Sequence, residues 1–391
     1  MSTPTSCLEL LQEMIAIESI NRTISGRMHP EAELGAYLEG VATAWGLGTR
    51  LLDVGGGGFN LLVWHEIAPT APWLLLESHM DTVGVEGMTV DPFHAHVEGG
   101  RLYGRGACDT KGSGAAMLWA LREYRDNATA AAESGGNNVA LLFSVDEEDR
   151  KAGIDAFVAR HLPALGWMPR GAIVGEPTQV KPGIAHNGVV RWSIRTHGLA
   201  AHSSDPTRGR SAIRMMVQVI EALEKQYIAR LQAAHPLTGP ARCSINIIRG
   251  GSVINIIPDE CEIWLDRRIV PGEDAHQVLP EVERVLENLR AQMPDLSYSM
   301  TEPFIDHALD PAGGEAFFAI VQSVLRQVGL SAELVGVGYG SDGSTLRVAG
   351  IPVVLLGPGH IAQAHAADEY LELEQLAQVA EVYLRLMRVA L

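Results

Sequence analysis

The sequence predicts an α/β fold carrying a smaller α+β insertion, and three observations predict it. Short apolar runs recur, each ended by a polar cluster: 73–76 into Glu77-Ser78-His79, 139–143 into Asp146-Glu147-Glu148, 172–174 into Gly175-Glu176, and 353–356 into a Gly-Pro-Gly turn. Runs this short and this apolar suit strands buried on both faces. Segments with helical apolar spacing lie among them, and strands alternating with helices imply a sheet flanked by helices. The middle of the chain breaks this rhythm and reads strand, helix, strand, strand, helix, strand.

The elements follow in order. Leu8, Leu11 and Ile15 mark an amphipathic first helix, and Leu34, Leu38, Val41 and Trp45 a second, at three- and four-residue spacing. The Gly-rich stretch 55–58 and the small, polar stretch 127–138 read as loops. Residues 112–124 form a helix between two of the apolar strands. In the middle, 189–196 and 243–248 are strand-like and 211–225 and 273–289 helix-like, with Pro280 clouding where the latter starts. The last helix, 373–391, returns to the main domain. A chain of 391 residues suits two domains. We place the catalytic domain at 1–183 and 301–391 and the insertion at 184–300.

Composition narrows the function. A net charge of −17 disfavours nucleic acid and anionic membrane as partners, because phosphate recognition needs a basic surface. The four cysteines are widely spaced with no C-x-x-C, which fits a reducing compartment. The N-terminal segment has no basic region, and no apolar run is long enough for a bilayer. A cytoplasmic protein is expected.

Ligands of an α/β sheet gather beyond the carboxyl ends of its strands. That is where His79, Glu147, Glu148, Glu176 and His365 fall, with Asp109 on a Gly-rich turn before a helix. Taken singly each has a plain reading: Asp109 as a helix N-cap, the acidic doublet as a helix start, Glu176 before Pro177 as a turn residue. Together, several carboxylates in one crevice stay ionised only beside compensating cations. Two divalent ions would compensate them and create a hydrolytic centre. An imidazole and carboxylate set without thiolate suits Zn²⁺, with Co²⁺ or Mn²⁺ possible.

These residues also carry a resemblance. Its motifs include His79-Met80-Asp81-Thr82-Val83, Gly104-Arg105-Gly106 with Asp109 and Lys111-Gly112, Asp146-Glu147-Glu148, Gly175-Glu176-Pro177-Thr178 and Ala201-His202-Ser203-Ser204. Asn255-Ile256-Ile257-Pro258, Arg268 before Pro271-Gly272, Ser341-Asp342-Gly343, and Gly357-Pro358-Gly359 through His365 to Asp368-Glu369-Tyr370 complete it. The chain resembles the M20 metallopeptidases and amidohydrolases from about residue 8 to 390. The segment 357–370 is most similar to the acetylornithine deacetylase and succinyl-diaminopimelate desuccinylase branch.

The resemblance implies a zinc-peptidase-like mixed sheet flanked by helices, with a ferredoxin-like insertion acting as lid or dimerisation domain. It implies that Asp109 bridges two metals, with His79 and Glu176 at one site and Glu148 and His365 at the other. Asp81 is implied to orient His79, Glu147 to be the general base, and the Asp109-Thr110 peptide to be cis. His202 is implied to enter a partner's site in a homodimer and stabilise an oxyanion. Arg268 and Asn255 resemble substrate-contact positions, although a salt bridge from Arg268 to Asp266 or Glu260 is an equal reading. We expect Glu147 and Glu148 on an extended segment, where neighbours point to opposite faces.

The activity so implied is amide hydrolysis in a small N-acyl amino acid, as in N-acetylornithine deacetylation. A dipeptidase or carboxypeptidase of the same family is the alternative, and a non-catalytic binding protein on the same fold is the rival from another class. Gly359-His360-Ile361 and Tyr339-Gly340 depart from relatives and bear on the substrate pocket. A dinucleotide turn at Gly104, a nucleophile elbow at Ser341 and a reactive Cys108 are weaker readings.

Overall fold

The structure, a computed structural model, describes residues 3–129 and 135–391. Four mutually parallel strands form the centre of a mixed eight-stranded sheet, in the order Asn138–Ser144, Trp73–His79, Pro169–Val174, Val353–Leu355. Their side chains are almost all buried, which is why their sequences lack alternation. An antiparallel hairpin, Gly48–Gly55 with Gly58–His65, extends one edge through Asn138–Ser144. Gly183–His186 and Val335–Val337 extend the other.

The chain divides into two units, Met1–Ile184 with Pro311–Val335 and Ser341–Leu391, and Ala185–Asp310 with Gly336–Gly340. The first holds the parallel strands. Its core is built round the helix Lys111–Asp126, which contacts the helices Cys7–Ala16 and Leu373–Arg388 and the strand Trp73–His79. The apolar stripe of Leu373–Arg388, including Leu376, Val379, Val382, Tyr383 and Leu386, is buried, as its periodicity predicts.

The second unit carries an antiparallel sheet in the order Arg242–Gly250, Glu260–Ile269, Gly188–His197, Tyr298–Met300, with Phe304–Asp306 also on Gly188–His197. Helices Ala212–Gln226 and Val278–Gln292 share a core with it, through Met215, Met216, Val219, Val282 and Leu286 against Val190, Ile194 and Ile263. The expected α+β order is present. The second helix begins at Val278 rather than at 273, which leaves Pro280 in its first turn, where a missing N–H costs nothing. In the hairpin 48–65 only the second strand carries a continuous apolar run, at 61–64, while the first, Gly48–Gly55, is largely exposed. Part of the loop read at 127–138 lies outside the described residues. Among the described residues, no helix is long and apolar enough to cross a membrane.

One glycine shows how tightly the first unit is closed around its site. A Cβ on Gly112 would stand 2.5 Å from the Ala107 carbonyl oxygen and 2.7 Å from Leu371 Cδ2. The backbone atom has nowhere to move, so overpacking should cost about 1–3 kcal/mol. Gly112→Ala is therefore expected to lower the urea midpoint of unfolding; an unchanged midpoint would show that the turn before the helix yields.

Candidate metal centre

The parallel strands deliver their polar residues to one edge of the sheet, as topology requires. His79 ends its strand, and Glu147 and Glu148 follow the strand ending at Ser144. Glu176 follows Val174, and His365 follows the strand ending at Leu355. Asp109 stands just before the helix Lys111–Asp126, across a cis peptide to Thr110. Thr110, not Asp109, is the N-cap position of that helix.

Asp109 is the meeting point of the cluster. Its Oδ1 lies 3.1 Å from His79 Nε2, and its Oδ2 lies 3.4 Å from His365 Nε2. His365 Nε2 is also 3.1 Å from Glu148 Oε1. Ligand atoms of His79, Asp109 and Glu148 all fall within 4.8 Å of one another. Burial opposes ionisation of Asp109, yet hydrogen bonds from His365 and His79 hold its carboxyl well below the usual range. Hydrogen bonds to Asp109 and Glu148 push the His365 imidazole up to about 10. Glu176 is buried, and burial, with Asp109 and Glu147 nearby, raises its carboxyl well above the ordinary value.

This donor set fits divalent cations. Two donors about 2.0–2.1 Å from a tetrahedral zinc lie roughly 3.3–3.4 Å apart, close to the separations around Asp109. The histidines gain protons only because each faces carboxylate oxygens; a divalent ion would replace those protons and relieve Glu176 as well. Two imidazoles address two different oxygens of one carboxylate, the arrangement a bridging ligand needs.

The acidic doublet sits in a turn rather than on the extended segment that we expected. Its two side chains still meet different partners, Glu147 facing Lys151 and Glu148 facing His365. The N–H groups of Glu147 and Glu148 donate to Asp81 Oδ1 and Oδ2, at 3.1 and 3.0 Å. Asp81 is fully buried and also accepts from Asn21 Nδ2 at 2.9 Å. The His79 ring takes its shorter contact, 2.9 Å from Nδ1, with the Asp81 backbone oxygen, and stands 3.5 Å from Oδ1. Asp81 thus orients the histidine mainly through its main chain and grips the doublet with its carboxylate. Asn21 was not singled out from sequence; it looks like an ordinary helix cap and does cap Thr23, through Oδ1 at 2.9 Å.

A second buried carboxylate organises the Asp109 turn. Glu369 Oε1 accepts from the N–H groups of Cys108 and Asp109 at 2.9 and 3.1 Å. Its Oε2 accepts from Gly106 N–H at 3.1 Å and from Arg105 Nη1 at 2.6 Å. Lys111 leaves the same turn in another direction, donating to the carbonyls of Met14 and Ile17 at 3.0 and 2.8 Å. Burial pushes its amine down to about 7. Arg105, Lys111 and Glu369 stood in recognised motifs without a role; only the fold joins residues so far apart in sequence.

Below the doublet, Ser144 Oγ lies 2.7 Å from Glu77 Oε1 and 2.9 Å from Asp342 Oδ2. A hydroxyl has one hydrogen to give, so one carboxyl of this pair keeps its own proton. Burial raises both, Glu77 to about 7. Cys108 is a packing residue: it is buried, desolvation raises its thiol well above the ordinary value, and its Sγ donates to the His360 carbonyl at 3.5 Å.

Three singled-out residues lie in the second unit. His202 is exposed, with Nδ1 2.8 Å from Ser204 Oγ, on a short strand paired with Ile256–Ile257. Asn255 is beside it, its carbonyl accepting from Ser203 N–H at 3.0 Å. Arg268 is half-exposed and pairs with Asp266, Nε to Oδ1 at 2.7 Å.

If Glu369 shapes the Asp109 turn, losing its charge should loosen metal binding without a contact to the ion. Orienting partners of this kind typically cost about 10–100-fold in metal affinity. Glu369→Gln is expected to show that loss in a chelator competition titration while remaining folded by circular dichroism. Parent-like affinity would sink the assignment.

The comparisons agree with this architecture. The model of Peptidase family M20/M25/M40 matches residues 75–389. Among solved structures, aminopeptidase PepT from Bacillus cereus aligns at TM-score 0.77 and 20% identity, covering 98% of this chain and 97% of that one. A tripeptidase from Staphylococcus aureus aligns at TM-score 0.74 and 24% identity, with the same coverages of 98% and 97%. The YXEP protein of Bacillus subtilis, a dinuclear metal binding peptidase, aligns at TM-score 0.73 and 17% identity, covering 98% and 96%. With the family model spanning most of its length, the chain belongs to the M20/M25/M40 peptidase family and is a metal-dependent hydrolase of linear amides.

Proposed function

We propose that the protein is a two-metal peptidase that cleaves short linear peptides. The observation that carries this reading is the division of Asp109, with one oxygen toward His79 and the other toward His365. The aminopeptidase and tripeptidase among its structural likenesses favour a peptide over the N-acyl amino acid expected from sequence. N-acyl amino acid deacetylation remains the second reading, carried by the segment 357–370.

His79, Asp109 and Glu176 would hold one ion, and Asp109, Glu148 and His365 the other. The donors suit Zn²⁺ first, and Co²⁺ or Mn²⁺ as well. Bound there, the ions supply the positive charge that acidifies water and polarises an amide carbonyl. Glu147 takes the proton from the attacking water and returns it to the leaving nitrogen. Burial pushes its carboxyl up to about 8, against the pull of Lys151 and His79, which favours its taking up a proton. Asp81 positions the pair of glutamates through their N–H groups.

In this reading residues 1–183 and 301–391 are catalytic and 184–300 form the lid or dimerisation part. The strand Arg242–Gly250 supports a homodimer: it is a sheet edge, with Ile247 and Ile248 exposed by 44% and 55%. His202 from a second copy would then donate to the oxyanion, with Asn255 and Arg268 contacting substrate. Arg268 would have to exchange Asp266 for a substrate carboxylate.

Two measurements test the proposal. A panel of free-amine di- and tripeptides, N-acetyl amino acids and N-succinyl amino acids should show fastest turnover on a peptide. That activity should vanish on chelation and return with added metal. Preference for an N-acyl substrate would move the assignment to the second reading, and full activity after verified metal removal would end both. Glu147→Ala is expected to keep two ions per chain and lose about 10²–10⁴-fold in kcat, whereas Glu148→Ala should first lose an ion. Metal analysis by mass spectrometry separates the two; equal metal loss in both variants would refute their unequal roles.

A further inference from the structure

Lys151 follows Glu147 by four residues, and its side chain comes back to it. The turn that brings it back is closed by the N–H groups of Arg150 and Lys151, which donate to the Asp146 carbonyl at 3.2 and 2.7 Å. Asp146 and Lys151 both adopt left-handed backbone, at φ 65° and 56°, which non-glycine residues rarely do. The Lys151 side chain is only 11% exposed and places Nζ 3.8 Å from Glu147 Oε1. The same Nζ donates to the Ser341 carbonyl at 2.8 Å.

The far end of this link is rigid. Ser341 is fully buried, and its carbonyl also accepts from Ser344 N–H and Oγ at 3.3 and 3.0 Å. The adjoining Asp342 is fixed by Ser144, the last residue of the strand that leads into the glutamate doublet. The Ser341-Asp342-Gly343 turn therefore touches both the approach to Glu147 and the cation beside it. This is work for a motif that the ligand set leaves unused.

We infer that Lys151 is the positioning residue of the Glu147 carboxylate, and that the Ser341-Asp342-Gly343 turn aims it. At 3.8 Å the ammonium attracts the carboxylate without a direct hydrogen bond. The carboxylate lone pairs stay available for a proton from water. Attraction from this side also opposes the tendency of a buried carboxylate to swing onto nearby cations, where it would become another ligand. The anchor on Ser341 keeps the ammonium from following Glu147 there.

The inference rests on Glu147 being the general base, so the test carries both. Lys151→Met, Lys151→Arg and Glu147→Gln are compared on the fastest-cleaved substrate of the panel above, with bound metal counted per chain and folding followed by circular dichroism. Lys151→Met should lower kcat about 10²-fold, the scale of a misplaced catalytic group, with KM and metal content near those of the parent. Lys151→Arg should recover at least about tenfold of that loss, because it restores the cation. Parent-like kcat in Lys151→Met, loss of metal in step with kcat, or no recovery in Lys151→Arg overturns the inference. If Lys151→Met does not fold, Lys151→Arg decides alone: kcat between about twofold and tenfold below the parent at full metal content supports the role, and any other value removes it. Turnover retained in Glu147→Gln would instead refute the base assignment itself.

Discussion

The structure of the first unit turns on the repulsion among carboxylates crowded at one edge of a buried sheet. Glu77, Asp109, Glu176 and Asp342 are buried, and Glu147 and Glu148 nearly so. Left to themselves these groups would protonate, and burial does push most of them upward. Asp109 is the exception, held ionised by two imidazoles. A site that keeps one carboxylate charged and raises the proton affinity of the rest favours exchange of protons for cations. The metal dependence of the family is thus already present in the chain's own electrostatics.

Two further carboxylates in the same region have a different task, and their bonding shows it. Asp81 and Glu369 spend their oxygens on backbone N–H groups: those of Glu147 and Glu148 in one case, and of Gly106, Cys108 and Asp109 in the other. A carboxylate so satisfied has little capacity left for an ion, but it fixes the main chain that carries the ligands. Bonds of this charge-assisted kind are stronger than neutral ones. Acidic residues here therefore divide into those whose lone pairs face the cavity and those whose lone pairs face the backbone.

That division marks how far the sequence could be read. The parallel strands were legible because double-sided burial leaves unbroken apolar runs, and the polar residues at their ends follow from topology. The insertion was legible from its order of elements. The hairpin 48–65 was not, because one of its strands is mostly exposed and its pattern is weak. Among site residues, His79, Asp109, Glu148 and His365 lie together in the structure. Asn21, Arg105, Lys151 and Glu369 gave no sign of their partners. Each acts through hydrogen bonds or an ion pair, and in three of the four the partner is more than 50 residues away. Chain proximity did not help with Lys151 either, since the return runs through a turn with left-handed Asp146 and Lys151, which a lysine does not announce. The doublet's turn was misjudged for the same reason.

Backbone conformation tells the same story from another side. Six non-glycine residues among those described adopt positive φ: Ala95, Asp146, Lys151, Gln179, Val180 and His365. Five of them lie in the loops that carry Glu147 and Glu148, Glu176, and His365. Such positions cost about 1–3 kcal/mol each, and glycine would remove most of that cost. Glycine is unavailable at His365, where the imidazole is needed, and at Lys151 if its ammonium serves Glu147. Val180, β-branched and the least suited to this conformation, is held by its N–H on the Gly357 carbonyl at 2.9 Å, next to Gln179 on Gly359 at 2.7 Å. These two bonds strap the loop of Glu176 to the loop that leads to His365. The strain is thus concentrated where two ligand loops must keep a fixed separation, and the hydrogen bonds that offset it are the ones that set that separation.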